Sequence, residues 1–264
     1  MKSLLSLRKP IIGMVHFLPL PGSAPYDAGA GMARVIDAAA RDIAALQDGG
    51  VDAVMFGNEG DRPYRTRASQ AGLVSMAAAV GQLKSLLRVP FGVNYLWDPL
   101  ATVQLAAATG AGFAREIFTG VYASDMGLWA PEAAPALEER ARLGRPDLTL
   151  LFNINAEFAA PLDTRPIALR AKSAVFSSMA DVICVSGAMT GQGVAVSDLA
   201  AAKQAVGDTP VFANTGVRLD TVAEIFGIAD GCVVGTHFKQ GGDTWAPVDG
   251  ERVKRFMDAV GRLR

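Results

Sequence analysis

Cysteine is almost missing from this 264-residue chain: Cys184 and Cys232 are the whole complement. Both sit in apolar runs, Val182-Ile-Cys-Val185 and Cys232-Val-Val234, where a thiol behaves as a small hydrophobe. That excludes a disulfide scaffold and argues against a redox or thiolate-metal centre. Neither sign of charge dominates, with 25 Lys plus Arg against 26 Asp plus Glu, and no basic stretch is interleaved with aromatics. The chain has no field to hold a polyphosphate backbone, so nucleic acid is not an expected partner. Long hydrophobic runs are also absent. Even the Ala-rich segment 68–87 is interrupted by Ser69, Gln70, Gly72, Gln82 and Lys84, short of the roughly 18–20 apolar residues a spanning helix needs. Residues 1–10 hold a short apolar patch without an A-x-A cleavage pattern, so a cytoplasmic protein with no transmembrane segment is expected. No linker or low-complexity tract divides the chain, and one domain over residues 1–264 is expected.

What is present is alternation. Eight short apolar or β-branched runs, at 11–15, 53–56, 91–95, 113–118, 148–154, 182–185, 211–213 and 231–234, are each followed by a segment of helical period. The helical segments fall at about 31–47, 68–87, 99–109, 132–143, 164–178, 197–206, 219–226 and 250–262. Asp98, Ser197 and Asp249 stand where N-caps are wanted, and Pro131 suits a first helical turn. Runs that are apolar throughout are covered on both faces, as parallel strands are when crossover helices pack on them. Eight such units predict an α/β fold, a single closed (β/α)8 TIM barrel. The competing open sheet usually opens with G-x-G-x-x-G. Here the first run leads instead into His16-Phe-Leu-Pro-Leu-Pro-Gly-Ser23.

In such a barrel the chemistry sits at the C-terminal strand ends, and these ends are polar throughout. Candidate acid–base groups are His16, Glu59, Asp61, Glu116 and Glu157. Arg115 and Glu116 are neighbours in one strand, so one of them points inward. Asn153, Asn155 and Glu157 share period-two spacing and are expected to form a polar ladder into the mouth, with Asn94, Asp98 and Trp97 as further substrate-binding positions. The loops after the seventh and eighth runs, Asn214-Thr215-Gly216 and Gly235-Thr236, recur in the order of a barrel phosphate site, with Ser186-Gly187 as a third edge and Lys239 as a counter-charge. The competing reading is that Gly216 and Gly235 only permit tight turns. His16, Glu59, Asp61 and Asp98 have divalent-metal ligand chemistry but no spaced motif, so no cofactor is expected.

At these residues the chain resembles the BtpA/SgcQ family. The likeness is carried by Pro10-Ile-Ile-Gly-Met-Val-His16 and Leu18-Pro-Leu-Pro-Gly22, by Gly57-Asn-Glu-Gly-Asp-Arg-Pro-Tyr64, and by Val234-Gly-Thr-His-Phe-Lys239 and Pro247-Val-Asp-Gly-Glu-Arg-Val253. The resemblance implies a barrel similar to the ribulose-phosphate-binding group. One family branch is associated with photosystem I biogenesis and another with sugar-catabolism gene clusters. Two departures stand out: Leu96-Trp97-Asp98-Pro99 where a basic-Asn-Asp ending is expected, and a fourth run, Phe113-Ala-Arg-Glu-Ile-Phe118, poor in β-branched residues.

Three functions follow as alternatives. The first is an isomerase, epimerase or lyase moving a proton on a small phosphorylated substrate such as a sugar phosphate. The second is a non-catalytic assembly or stabilising factor for a membrane complex, and the third a nucleoside or nucleotide hydrolase or phosphorylase. A Schiff-base aldolase is disfavoured, because no strand carries a lysine. Apolar helix faces such as 101–108 also suit a homo-oligomer.

Overall fold

A computed structural model describes residues 4–264; the first three residues of the segment read above for targeting signals lie outside the described residues. In chain order the elements are β1 (Ile11–His16), α1 (Gly31–Asp48), β2 (Ala53–Gly57), α2 (Gln70–Leu83), β3 (Phe91–Asn94), α3 (Pro99–Thr109), β4 (Phe113–Glu116), β5 (Tyr122–Ser124), β6 (Gly127–Trp129), α4 (Ala133–Arg142), β7 (Thr149–Asn153), β8 (Ala159–Pro161), α5 (Ile167–Phe176), β9 (Val182–Val185), α6 (Val196–Ala205), β10 (Val211–Ala213), α7 (Val222–Phe226), β11 (Gly231–Val234) and α8 (Gly250–Gly261). The parallel strands close in the order β1-β11-β10-β9-β7-β4-β3-β2, with Ile12 paired to Ala53 on one side and to Val233 on the other. This is the (β/α)8 barrel that the alternation predicts.

Strand parity sorts the side chains. Ile12, Met14, Met55, Phe113, Leu151 and Phe212 fill the barrel, whereas Ile11, Val15, Val54, Leu150 and Val211 face the helices. Burying a large aliphatic or aromatic side chain contributes roughly 1.5–3 kcal/mol, so both layers drive closure. Phe113 fits inside because Gly92 lies across from it: a Cβ at Gly92 would stand 2.2 Å from the ring. The two expected aspartate caps are present, since Asp98 accepts from the Ala101 N–H at 3.1 Å and Asp249 from the Glu251 N–H at 3.0 Å. Two other boundary expectations do not hold. Helix α6 begins at Val196, which places Ser197 inside it, and α4 begins at Ala133, beyond Pro131.

One layer was not expected. Strands β5, β6 and β8 form a small antiparallel sheet, order β6-β5-β8, standing on the loops that follow β4 and β7. Tyr122 and Trp129 from this sheet join Leu96, Trp97, Ile117 and Ala156 in a separate apolar cluster. The sheet thus walls one side of the barrel mouth. No described helix is long and apolar enough to cross a membrane.

Candidate active site

The floor of the mouth is a buried polar layer organised by Arg115. Parity turns Arg115 inward, continuing the row from Phe113. Its Nη1 donates to Oδ1 of Asn214 at 3.0 Å and its Nη2 to Oδ1 of Asn94, and Nη1 lies 3.9 Å from Oε1 of Glu157. Glu157 is held from every side. Its Oε2 accepts from Nδ2 of Asn153 at 2.9 Å, and its Oε1 accepts from Oγ of Ser186 at 3.1 Å and Nδ2 of Asn214 at 3.3 Å. A buried ion pair persists when its remaining donors and acceptors are largely satisfied; the asparagines and Ser186 do this for all but Nε of Arg115, which is buried without a partner among the described residues. The expected ladder is corrected in one position. Strand β7 stops at Asn153, and Asn155 turns aside to grip the Ser186 backbone, donating to its carbonyl at 2.6 Å and accepting from its N–H at 2.8 Å.

Above this floor opens a cavity of about 180 Å³. His16, Glu59 and Glu157 reach it from the ends of β1, β2 and β7; Thr215, Gly216, Gly235 and Thr236 reach it from β10 and β11, together with Arg218 and Arg252. Burial raises the pKa of Glu59, opposed by Arg115 and assisted by Glu157, and Thr190 donates to its Oε1 at 3.2 Å. Burial likewise raises Glu157 against the pull of Arg115. Desolvation, with Lys239 and Arg115 nearby, drives His16 well below the usual histidine range, so its ring is neutral at pH 7. Arg252 is fixed at the rim by donating from Nε to the His237 carbonyl at 2.7 Å. Desolvated proton carriers and guanidiniums therefore share one small compartment.

Several expected site residues do other work. Asp61 accepts from the Leu20 N–H at 2.7 Å and Nδ2 of Asn58 at 3.1 Å, tying loops together away from the cavity. Asp98 caps α3 and also accepts from the Ala68 N–H at 2.9 Å. Glu116 lies behind Asn94, accepting from its Nδ2 at 3.1 Å and from the Ile117 N–H, and burial pushes its pKa up to about 8. Lys239 is not a mouth counter-charge: it is 2% exposed with Nζ 2.6 Å from Oδ2 of Asp42. Trp97 edges the cavity but is 3% exposed, packed among Tyr64, Trp129 and Phe158.

The glycine turns serve close packing first. A Cβ at Gly216, where φ is +62°, would lie 2.2 Å from the carbonyl carbon of Gln192 and from Gly193 N, while the Gly187 N–H donates to Oγ1 of Thr215 at 2.5 Å. At Gly235 a Cβ would stand 3.1 Å from Cε1 of His16. These turns draw the 187–193 loop and the His16 ring against the mouth. The four side chains with metal-ligand chemistry do not converge, and among the described residues no group of three or more His, Cys, Asp or Glu is placed to hold a metal ion. Sequence reasoning missed Arg218 and Arg252, and it placed Thr190 at the end of the sixth strand without a role. Arg218 lies on a loop and Arg252 in the first turn of α8, where polar residues are ordinary and carry no periodic signal.

A closed (β/α)8 barrel with a polar, partly desolvated cavity at its C-terminal strand ends is thus the class of protein this chain represents. The chain belongs to the BtpA family, whose model matches residues 7–262. It is 47% identical over 264 residues to the sgc region protein SgcQ of Escherichia coli, covering 100% of this chain and 98% of that one. It is 33% identical over 254 residues to the photosystem I biogenesis protein BtpA of Synechocystis, covering 95% and 88%. Among solved structures it is similar to the native KDPGal structure (TM-score 0.60, 15% identity, 97% of each chain). It is also similar to phosphoribosyl anthranilate isomerase from Thermus thermophilus (TM-score 0.59, 12% identity, 97% of this chain and 100% of that one). At these identities the likeness shows the fold alone.

Proposed function

We propose that the protein is an enzyme moving a proton on a small phosphorylated metabolite of the sugar-phosphate kind, in an isomerase, epimerase or retro-aldol reaction. One observation carries this reading: the cavity of about 180 Å³ is lined both by Arg218 and Arg252 and by the desolvated Glu59, Glu157 and His16. The guanidiniums and the Thr236 hydroxyl suit a phosphate, and phosphate binding energy orients the reacting carbons. Glu59 is the better proton carrier. Burial raises its pKa and Thr190 is the one hydrogen-bond partner of its carboxylate among the described residues, whereas Glu157 is fixed by its neighbours. Neutral His16 then serves as hydrogen-bond donor to the carbonyl. A lysine Schiff base is not part of the proposal, because no barrel strand carries a lysine and Lys239 is held by Asp42.

The test is calorimetric titration with inorganic phosphate and a panel of sugar phosphates, repeated with Arg252→Gln and Thr236→Val. Loss of a charge-assisted hydrogen bond of about 1.5–3 kcal/mol weakens phosphate-bearing ligands at least tenfold in Arg252→Gln. A hit is then followed for turnover in Glu59→Gln. Absence of binding by every phosphorylated compound overturns the reading and favours the non-catalytic role suggested by the name of the Synechocystis relative.

A further inference from the structure

A second cavity of about 240 Å³ lies beside the first, and the His16 ring is a wall of both. Its sides are apolar: Phe17, Leu18, Pro19, Ala38, Ala246 and Pro247. At its base Lys239 and Asp42 neutralise each other at 2.6 Å, so the floor has no charge to offer. The rim differs. Arg41 and Arg62 both line it, both are exposed, and neither forms an ion pair with any described residue. The Arg62 guanidinium lies 3.8 Å from the centre of the half-exposed Trp245 ring, a geometry that presents a flat stacking surface at the entrance. The two cavities are also joined mechanically, since the Thr236 and Thr244 hydroxyls, one from each, are 2.8 Å apart.

We infer that the ligand of this site is a two-part molecule, with its phosphorylated part in the mouth and a flat aromatic group bearing negative charge in the side cavity, His16 lying between them. The inference rests on the proposed phosphate reading and adds the substituent. Apolar walls accept a ring, the neutralised floor rejects a buried charge, and the rim guanidiniums attract an anion at the outer edge of the ring. A plain sugar phosphate leaves this cavity unused.

The test compares methyl, phenyl and 4-carboxyphenyl β-D-glucopyranoside 6-phosphates by calorimetry on the full chain, with inorganic phosphate alongside. The expected order is carboxyphenyl tightest and methyl weakest, with at least tenfold between them. Trp245→Ala removes the gain from methyl to phenyl and the double change Arg41→Gln with Arg62→Gln the gain from phenyl to carboxyphenyl, while methyl-glycoside affinity stays within twofold. Equal affinity for the three glycosides, or an aromatic gain that survives both substitutions, overturns the inference and leaves the phosphate reading standing. Binding of inorganic phosphate with no glycoside bound does the same. If neither phosphate nor glycosides bind, both readings fall.

Discussion

The hydroxyl of Thr190 donates to Oε1 of Glu59 at 3.2 Å, joining the loop after β9 to the loop after β2 across the barrel mouth. The two residues are 131 positions apart in the chain. Because this bond favours the ionised carboxylate, it opposes the burial that raises Glu59. Thr190→Val is expected to raise the Glu59 pKa further and Thr190→Ser to restore it. Carboxyl-carbon NMR, assigned with Glu59→Gln, reads this directly, and an unmoved titration in Thr190→Val refutes the coupling.

Glu116 makes the stability of the protein pH-dependent in an unusual direction. Burial holds its carboxyl up at about 8, above the roughly 4.3 of an unfolded glutamate. Between those values the native state binds the proton more tightly than the unfolded chain, so this contribution is complete below the unfolded pKa and is lost as pH rises through the folded one. Unfolding free energy from urea titrations should therefore decline from about pH 4.5 to 8, and the decline should be shallower in Glu116→Gln. The total effect is of the order of a few kcal/mol. An identical slope in the variant contradicts the assignment.

Lys239 and Asp42 form a structural pair. Replacing one member of a buried ion pair costs about 3–5 kcal/mol, so Lys239→Met should lower the urea midpoint strongly. Phosphate affinity measured under native conditions should stay unchanged, since the phosphate-binding residues proposed above lie in the other cavity. A variant of normal stability with weakened phosphate binding would return Lys239 to the role its position after His237 first suggested.

Gly216 and Gly31 have nearly the same backbone, with φ of +62° and +64°, but opposite surroundings: the Gln192–Gly193 peptide crowds the first, while no atom lies within 4 Å of where a Cβ would sit at the second. Gly31→Ala should cost about 1 kcal/mol, the penalty of the left-handed conformation. Gly216→Ala adds a backbone collision and should cost at least 1–3 kcal/mol more. Thermal unfolding of the pair separates the two effects, and equal costs would show that the 187–193 loop yields freely.

The barrel was legible because each strand is an apolar run bounded by polar residues, a pattern that survives errors of a few residues at the ends. Strands β5, β6 and β8 were not legible: each has three residues, too few to display a period of two. Parity showed that either Arg115 or Glu116 enters the barrel, but only the packing of Phe113 beneath Arg115 decides which. The polar partners Asn94, Asn153, Ser186 and Asn214 could be named from their strand ends. Lys239 misled because its partner Asp42 lies on α1, nearly 200 positions earlier, where no local pattern connects the two.

The β6-β5-β8 sheet also gives the mouth a direction. Tyr122 pairs with Trp129 on one side and Pro161 on the other, and its hydroxyl donates to the carbonyls of Thr119 at 3.2 Å and Ile154 at 3.4 Å. The loops after β4 and β7 are therefore fastened together as a fixed jamb. Beside it in the barrel order, the 187–193 loop is tied to the jamb by the Phe158 N–H, which donates to the Ala188 carbonyl at 3.0 Å, and is held over the cavity by the Thr190 bond to Glu59. The carboxylate proposed to carry the proton is thus also the anchor of the loop that overhangs it.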